Sequence, residues 1–273
     1  EKSEVMNKLF ISDLDGTLFN SNAEITDNTA EIINSLIERG MNFTFATARS
    51  ERSAIEMTKK LKINTPCLLM NGVIVYDINA ENECRYVNYE YISYEKSIIL
   101  SELYDELGIK GNMYRIINGN LTSFSTNPDA DKSQYLFCEH FRDFIVNESS
   151  TLPIYFTAND DFDILLPLKE NVSALDGVDC TFYEDTYTGK WFLEIFSENA
   201  SKSNGIKYLK NKYNYDHVTC FGDNLNDISM FMTADVRVAV ENAKAELKKY
   251  ADFTALSNDE DGVAEWLKNN FSD

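Results

Sequence analysis

The sequence predicts an α/β protein: a doubly wound parallel sheet interrupted by an inserted α+β domain. Three observations carry this. Residues 1–80 and 191–273 alternate short apolar strands with helical segments joined by short links, the sequence form of a parallel sheet with crossover helices. Residues 81–190 have a different texture, in which β-type runs dominate. The charge shifts at the same place: 81–190 carry 20 acids and 8 bases, against 25 and 17 in the other 163 residues.

Taken in order, Leu9-Phe10-Ile11 is a short apolar run of buried-strand type that stops at Ser12-Asp13. A helix follows, with Asp27 as its expected N-cap, one face made of Ile32, Ile33, Leu36 and Ile37, and Gly40 at the C′ position. Asn42 to Ala46 reads as a strand ending at Thr47, and roughly Glu51 to Leu61 as a helix. Pro66 opens a strand over Cys67–Met70, and Asn71-Gly72 is a turn signal before Val73–Tyr76. In the middle segment, Met113–Ile117, Leu121–Ser125, Pro153–Thr157 and Phe162–Leu166 read as strands. Lys96–Leu107 and Gln134–Val146 read as helices between them. The α/β alternation then resumes: strand Val218–Phe221, a helix from near Asn226, strand Val236–Val240, helix Asn242–Tyr250, extended Phe253–Ala255 and a last helix Val263–Phe271.

The chain has 273 residues and 45 Asp+Glu against 25 Lys+Arg, a formal net charge of −20. That length suits two domains with a sizeable core. The acidic excess excludes nonspecific nucleic-acid binding and attachment to anionic membrane surfaces. Five scattered cysteines with no C-x-x-C pair exclude a disulfide framework and a cysteine zinc site, and predict a reducing, cytoplasmic setting. Glu1-Lys2-Ser3-Glu4 is polar and no apolar run approaches a membrane span, so a soluble protein is expected. With only His140 and His217, histidine-centred catalysis and a multi-histidine metal site are disfavoured. Nothing in the sequence calls for an oligomer.

In a parallel α/β sheet the working edge lies at the carboxyl ends of the strands. Four sets of polar residues fall at or near that edge: Asp13 with Asp15, Thr47, Lys202, and Asp223 with Asn226 and Asp227. Singly, each has a plainer reading. Asp15-Gly16 can be a turn, Thr47 a helix-terminal residue, Lys202 a surface lysine, and Asp223-Asn224 a cap. A calcium loop starting at Asp13 fails because Leu18 stands where glycine is required. Together they are more telling. Several carboxylates in one cleft repel unless a divalent cation lies between them, and an all-oxygen ligand set points to Mg²⁺ rather than Zn²⁺. A hydroxyl, an ammonium and an amide complete a set suited to phosphate oxygens.

Asp13-Leu14-Asp15-Gly16-Thr17 after a strand resembles the first motif of the haloacid dehalogenase superfamily. Thr47-Ala48-Arg49, Lys202 in Ser201-Lys202-Ser203-Asn204-Gly205, and Gly222-Asp223-Asn224-Leu225-Asn226-Asp227 resemble its second, third and fourth motifs, in order. Asn71-Gly72, Leu193-Glu194-Ile195 and Asp261-Gly262-Val263-Ala264 are similar to habits of the Cof-type subfamily of sugar-phosphate and related phosphatases. The 32 positions from Asp15 to Thr47 leave little room, whereas the 155 from Thr47 to Lys202 hold a whole domain. This resembles a C2-type cap inserted at 81–190 into a discontinuous, Rossmann-like core of 1–80 and 191–273.

The resemblance implies a Mg²⁺-dependent phosphatase acting on a small phosphorylated metabolite, with sugar phosphates the leading class. Asp13 would be the nucleophile that becomes an aspartyl-phosphate, and Asp15 the acid and base. Thr47, Lys202 and Asn226 would hold the phosphate. Asp13, the backbone carbonyl of Asp15, and Asp223 would ligate the metal, with Asp227 acting through a coordinated water. The alternatives are a phosphotransferase or mutase on the same core, or a non-catalytic phospho-ligand binder, which would have no need of Asp15. Two departures from the family pattern touch the phosphate loops: Ala48 replaces the commoner glycine, and Ser203-Asn204 intervene before Gly205. Arg49 reads equally as a surface charge or a substrate contact. Trp191, Phe192 and the Tyr and Phe residues of the insert read as core rather than a stacking platform. The acidic insert leans toward a substrate with one phosphate on a neutral or cationic body.

Overall fold

The computed structural model describes residues 6–148, 151–184 and 189–272; the polar stretch Glu1-Lys2-Ser3-Glu4 lies outside them. The chain begins β1 (Lys8–Ser12), α1 (Asp27–Glu38), β2 (Asn42–Phe45), α2 (Glu51–Thr58), β3 (Cys67–Leu69), β4 (Ile74–Tyr76) and β5 (Tyr86–Tyr89). Next come α3 (Tyr94–Glu106), β6 (Gly111–Ile117), β7 (Asn120–Ser125), β8 (Leu136–Phe137), β9 (Pro153–Asp160), α4 (Phe162–Ser173), β10 (Val178–Glu184) and β11 (Trp191–Ser197). The chain ends α5 (Lys202–Tyr213), β12 (His217–Gly222), α6 (Ile228–Phe231), β13 (Val236–Ala239), α7 (Ala245–Lys248), β14 (Phe253–Thr254) and α8 (Gly262–Asn270).

These elements form two compact units. The first takes the chain up to Glu81, Arg85–Asn88, and everything from Ser201 on; the second takes Asn82–Cys84 and Tyr89–Ala200. The first unit holds a five-stranded sheet in the order β14-β13-β12-β1-β2, with every pairing parallel. Leu9, Ile11, Phe43, Phe45, Val218, Cys220 and Val238 are its fully buried core. Register places Ser12 between Phe45 and Phe221, so the residues after these positions emerge together at the carboxyl edge. Beyond β2 the parallel arrangement thins to one bridge between Ala46 and Leu68. The chain there turns back into a small sheet, β3-β4-β5. Met70, Asn71 and Gly72 all have positive φ, which is what reverses β3 into antiparallel β4.

The second unit is a six-stranded sheet, β10-β11-β9-β6-β7-β8. Leu100 and Tyr104 from α3 and Leu165, Leu168 and Val172 from α4 share a core with Met113, Phe156, Leu193 and Ile195 of the sheet. One expected boundary moves: the division falls at Ser201, not at 191, because Trp191–Ser197 pairs antiparallel with both β9 and β10.

Three local expectations also change. Phe162–Leu166 begins helix α4 rather than forming a strand, since Leu165, Leu168 and Val172 recur at helical spacing on the buried side. Gln134–Val146 is not a helix: Leu136–Phe137 joins the sheet edge, Cys138 N–H donates to the Ser125 carbonyl at 2.9 Å, and only a short turn spans Phe141–Phe144. Thr26, not Asp27, caps α1, its hydroxyl accepting the Thr29 N–H at 3.0 Å. No helix among the described residues is long and apolar enough to cross a membrane, and all five cysteines are unpaired.

Candidate active site

Asp13 follows β1 and is tied into the sheet by its N–H, which donates to the Phe221 carbonyl at 3.0 Å. Its side chain is only 8% exposed. The turn over Leu14–Leu18 owes its shape to Gly16 at φ +75°. A Cβ on Gly16 would lie 2.5 Å from Oδ2 of Asp223, so glycine is required for steric reasons as well as for φ. Thr17 donates its hydroxyl to Asp223 Oδ1 at 3.1 Å. Asn242 Nδ2 donates to the Gly16 carbonyl at 2.7 Å, fixing the same turn from the other side.

Lys202 is the first residue of α5, whose N-cap Ser201 accepts the Asn204 N–H at 3.0 Å. The two residues before Gly205 therefore form the helix's first turn rather than disturbing the lysine. Gly72 makes the approach possible: a Cβ there would stand 2.2 Å from the Ser201 carbonyl oxygen. The Lys202 side chain is 2% exposed. Its Nζ donates to Asp13 Oδ1 at 2.5 Å and to Asp227 Oδ1 at 2.8 Å. Asp227 is fully buried, and its other oxygen accepts the N–H groups of Asp223 and Asn224 at 3.1 and 3.2 Å.

The carboxylate oxygens of Asp13, Asp223 and Asp227 can all lie within 4.8 Å of one another. Three carboxylates and one ammonium leave two net negative charges, which one divalent cation would balance. The strain of that excess is visible in the acidities. Burial, reinforced by the charge of Asp227 and opposed by Lys202, pushes Asp13 up to about 8. Burial and then Asp227 push Asp223 up to about 6. Burial disfavours the Lys202 charge, but Asp13 and Asp227 outweigh it and hold the lysine above its usual range. A hard cation with oxygen ligands fits this donor set, with Asp13 and Asp223 as side-chain ligands. Asp227 bonds Lys202 through one oxygen and the Asp223 and Asn224 N–H groups through the other, which ties the lysine to the Asp223 loop.

Asp15 is placed differently. Its side chain is 52% exposed and held by Arg49 in a two-pronged pair, Nη2 to Oδ1 at 2.6 Å and Nε to Oδ2 at 2.8 Å. Arg49 is steadied by Ser53 at 2.9 Å and lies over the Phe19 ring, 5.7 Å from its centroid. Thr47 is buried at the end of β2; its N–H donates to the Leu68 carbonyl, and its own carbonyl accepts the Asn71 N–H. Its hydroxyl accepts the Arg49 N–H at 3.1 Å. Ala48 needs no left-handed backbone here, so the departure from glycine costs nothing locally. Asn226 sits exposed on the turn Leu225–Asp227. Thr17, Asn242 and the partnership of Arg49 with Asp15 were not assigned from sequence. Thr17 lies inside the first motif, whereas Asn242 gives no signal of its own.

Fold and cluster together define an α/β protein that gathers carboxylates and one buried ammonium at the carboxyl edge of its parallel strands. Residues 10–267 match the haloacid dehalogenase-like hydrolase family, and the chain belongs to it. Phosphatase YwpJ of Bacillus subtilis is 27% identical over 293 residues, covering 96% of this chain and 99% of that protein. The crystal structure of TM0651 from Thermotoga maritima superposes with a TM-score of 0.79 at 25% identity, covering 98% of this chain and 99% of that one. The sugar phosphatase BT4131, of subclass IIB, shares the fold with a TM-score of 0.65 at 19% identity, over 96% of this chain and 98% of its own.

Proposed function

We propose that this hydrolase, a phosphatase as its relatives are, cleaves a small phosphorylated metabolite through an aspartyl-phosphate at Asp13 and depends on Mg²⁺. The observation that carries the reading is the buried Lys202 ammonium held between Asp13 and Asp227, with Asp223 beside them. Such a cluster has too much negative charge to rest without a cation, and its lysine and hydroxyl donors suit phosphate.

Lys202 occupies Oδ1 of Asp13, so Oδ2 is the oxygen free to attack phosphorus. Bond formation from Oδ2 to phosphorus expels the alcohol oxygen, which takes its proton from Asp15. Asp15, now a carboxylate, takes a proton from water as that water attacks the phosphoryl group, and Asp13 is released. Arg49 grips the same carboxylate with two hydrogen bonds, so Asp15 must loosen that pair to serve the leaving oxygen. Lys202, Thr47 and Asn226 hold the phosphoryl oxygens. A bound Mg²⁺, held by Asp13, the Asp15 backbone carbonyl and Asp223, would screen the phosphate's charge from the attacking carboxylate. Sugar phosphates are the leading substrate class, and selectivity is assigned to the inserted unit.

A screen of phosphorylated metabolites, read by release of free phosphate with Mg²⁺ and with EDTA, tests this. Metal-dependent release is expected. Transfer of the phosphoryl group to a second substrate without free phosphate would make the enzyme a phosphotransferase, and tight binding without turnover would make it a binder. Full activity in EDTA would remove the metal from the reading.

A further inference from the structure

The loop between β13 and α7, residues 240–244, is bonded to both of the loops whose oxygens are assigned to the metal. Its backbone holds the Asp223 side: Val240 N–H donates to the Gly222 carbonyl at 3.2 Å, and Lys244 N–H to the Asp223 carbonyl at 2.8 Å. Asn242 holds the other side, its Nδ2 donating to the Gly16 carbonyl at 2.7 Å. That amide is not free to turn over. Asn258 N–H donates to Asn242 Oδ1 at 2.9 Å, which leaves Nδ2 as the group that faces Gly16. Asn258 is itself buried, and its Nδ2 donates to the Phe19 carbonyl at 2.9 Å, just past the same turn. The sequence places Asn242 at the start of a helix. It lies instead in the loop ahead of α7, where its side chain reaches across to the first motif.

What Asn242 grips bears on the metal. Asp15 (φ −72°, ψ 120°) and Gly16 (φ 75°, ψ −1°) have the dihedrals of the two central residues of a type II turn. The Asp15 carbonyl sits on the peptide between them, so its direction follows from where the ends of the turn are held. Asp13 N–H holds the entry on the Phe221 carbonyl. The exit is held by Asn242 on the Gly16 carbonyl and by the Thr17 hydroxyl on Asp223. Clearance there is small, since a Cβ on Gly16 would lie 2.5 Å from Asp223 Oδ2. A small displacement of the exit peptide therefore changes both the aim of the Asp15 carbonyl and its spacing from Asp223. Asn242 is exposed, so its bond to Gly16 contributes only modestly to the stability of the fold.

We infer that Asn242 is a positioning residue for the metal site, a bracket that sets the spacing between the Asp15 carbonyl and Asp223. This rests on the Mg²⁺-dependent phosphatase reading above, and Asn242 lies outside the four motifs that suggested it.

The test uses the full-length protein with Asn242→Ala and Asn242→Asp. Each is read by thermal melting across a Mg²⁺ titration, and then by phosphate release from p-nitrophenyl phosphate. Both variants lack the Nδ2 donor, while aspartate keeps an acceptor for the Asn258 N–H. Both should raise the Mg²⁺ concentration at the midpoint of the thermal shift by about three- to tenfold. The Mg²⁺ needed for half-maximal phosphate release should rise by the same factor. The added charge of aspartate would by itself attract a cation, so weaker binding in that variant reports the lost donor. A midpoint within about twofold of wild type in both variants overturns the inference. So does a shift in Asn242→Ala alone, which would place the effect on the bond from Asn258. A fall in metal-free melting temperature with the Mg²⁺ midpoint unmoved would mark a merely structural role and overturns it as well. No Mg²⁺ shift in the wild type removes the metal and the bracket together. The expected change in midpoint without any phosphate release would instead strike the phosphatase reading and leave the role of Asn242 standing.

Discussion

Replacing Lys202 with methionine removes the ammonium while keeping most of the side chain's length. Its Nζ lies 2.5 Å from Asp13 and 2.8 Å from Asp227, and none of the three side chains is more than 8% exposed. Deleting one partner of a buried ion pair costs about 3–5 kcal/mol, chiefly because the other charge stays buried and unpaired. Here two carboxylates are orphaned, which places Lys202→Met at the upper end. At about 2–4 °C per kcal/mol for a chain of this size, the melting temperature should fall by roughly 10 °C or more. The cost to catalysis is separate. Lys202 is the group that opposes the rise of Asp13's pKa, which even so stands at about 8. Without it Asp13 holds its proton to still higher pH and loses nucleophilicity near neutrality. Loss of a donor at the reacting centre adds about 10²–10³ in kcat. Thermal melting and a pH series of kcat/KM on an aryl phosphate read both effects. A variant that melts with the wild type and retains more than about a tenth of its activity would refute the argument that this ammonium holds the cluster together.

Three further outcomes follow from the same geometry. Asp13 and Asp223 are raised to about 8 and about 6, above their unfolded values, so the folded protein binds protons that the unfolded chain does not. The contribution of these two groups to metal-free stability should therefore be complete in acid and be lost as pH rises through about 6 and about 8, while Mg²⁺ should stabilise more at alkaline than at acid pH. A metal-induced shift in melting temperature independent of pH would contradict this. Gly16→Ala sets a Cβ 2.5 Å from Asp223 Oδ2 at a φ of +75°; it should cost about 1–3 kcal/mol and raise the Mg²⁺ concentration needed for half-maximal activity. Wild-type metal dependence in that variant would count against Asp223 as a ligand. Arg49→Ala frees Asp15 from its two-pronged pair. It should lower kcat on alkyl phosphates by about tenfold through misplacement of the acid, and affect aryl phosphates, whose leaving groups need no proton, much less. Equal losses on both would show that Arg49 does not act through Asp15.

The parallel core was legible because its strands are short apolar runs that end abruptly at polar residues, as Leu9-Phe10-Ile11 ends at Ser12-Asp13. The clustering of Asp13, Asp223 and Asp227 was legible because each follows such a run at the same edge of the sheet. Long-range placement was not. Lys202, a surface lysine on local grounds, is buried because Gly72 lets the Ser201 backbone approach within contact of the Asn71-Gly72 turn. The Arg49–Asp15 pair joins residues 34 positions apart on two loops, and no local pattern encodes it. In the second unit, Phe162–Leu166 carries apolar residues that suit a strand over five positions, and only the recurrence at Leu168 and Val172 reveals the helix. The boundary at 191 failed for a related reason: β11 is alternating and lies next to α5 in sequence, but its hydrogen bonds go to β9 and β10.

The covalent role of Asp13 is tested most directly by trapping. The Asp15→Asn variant, with Mg²⁺ and an aryl phosphate whose leaving group needs no proton, should form the phosphoenzyme and hydrolyse it slowly. Borohydride reduction followed by peptide mass spectrometry should then show homoserine at position 13 and at no other aspartate. Phosphate turnover with Asp13 unreduced, or reduction at a different carboxylate, would contradict nucleophilic catalysis by Asp13.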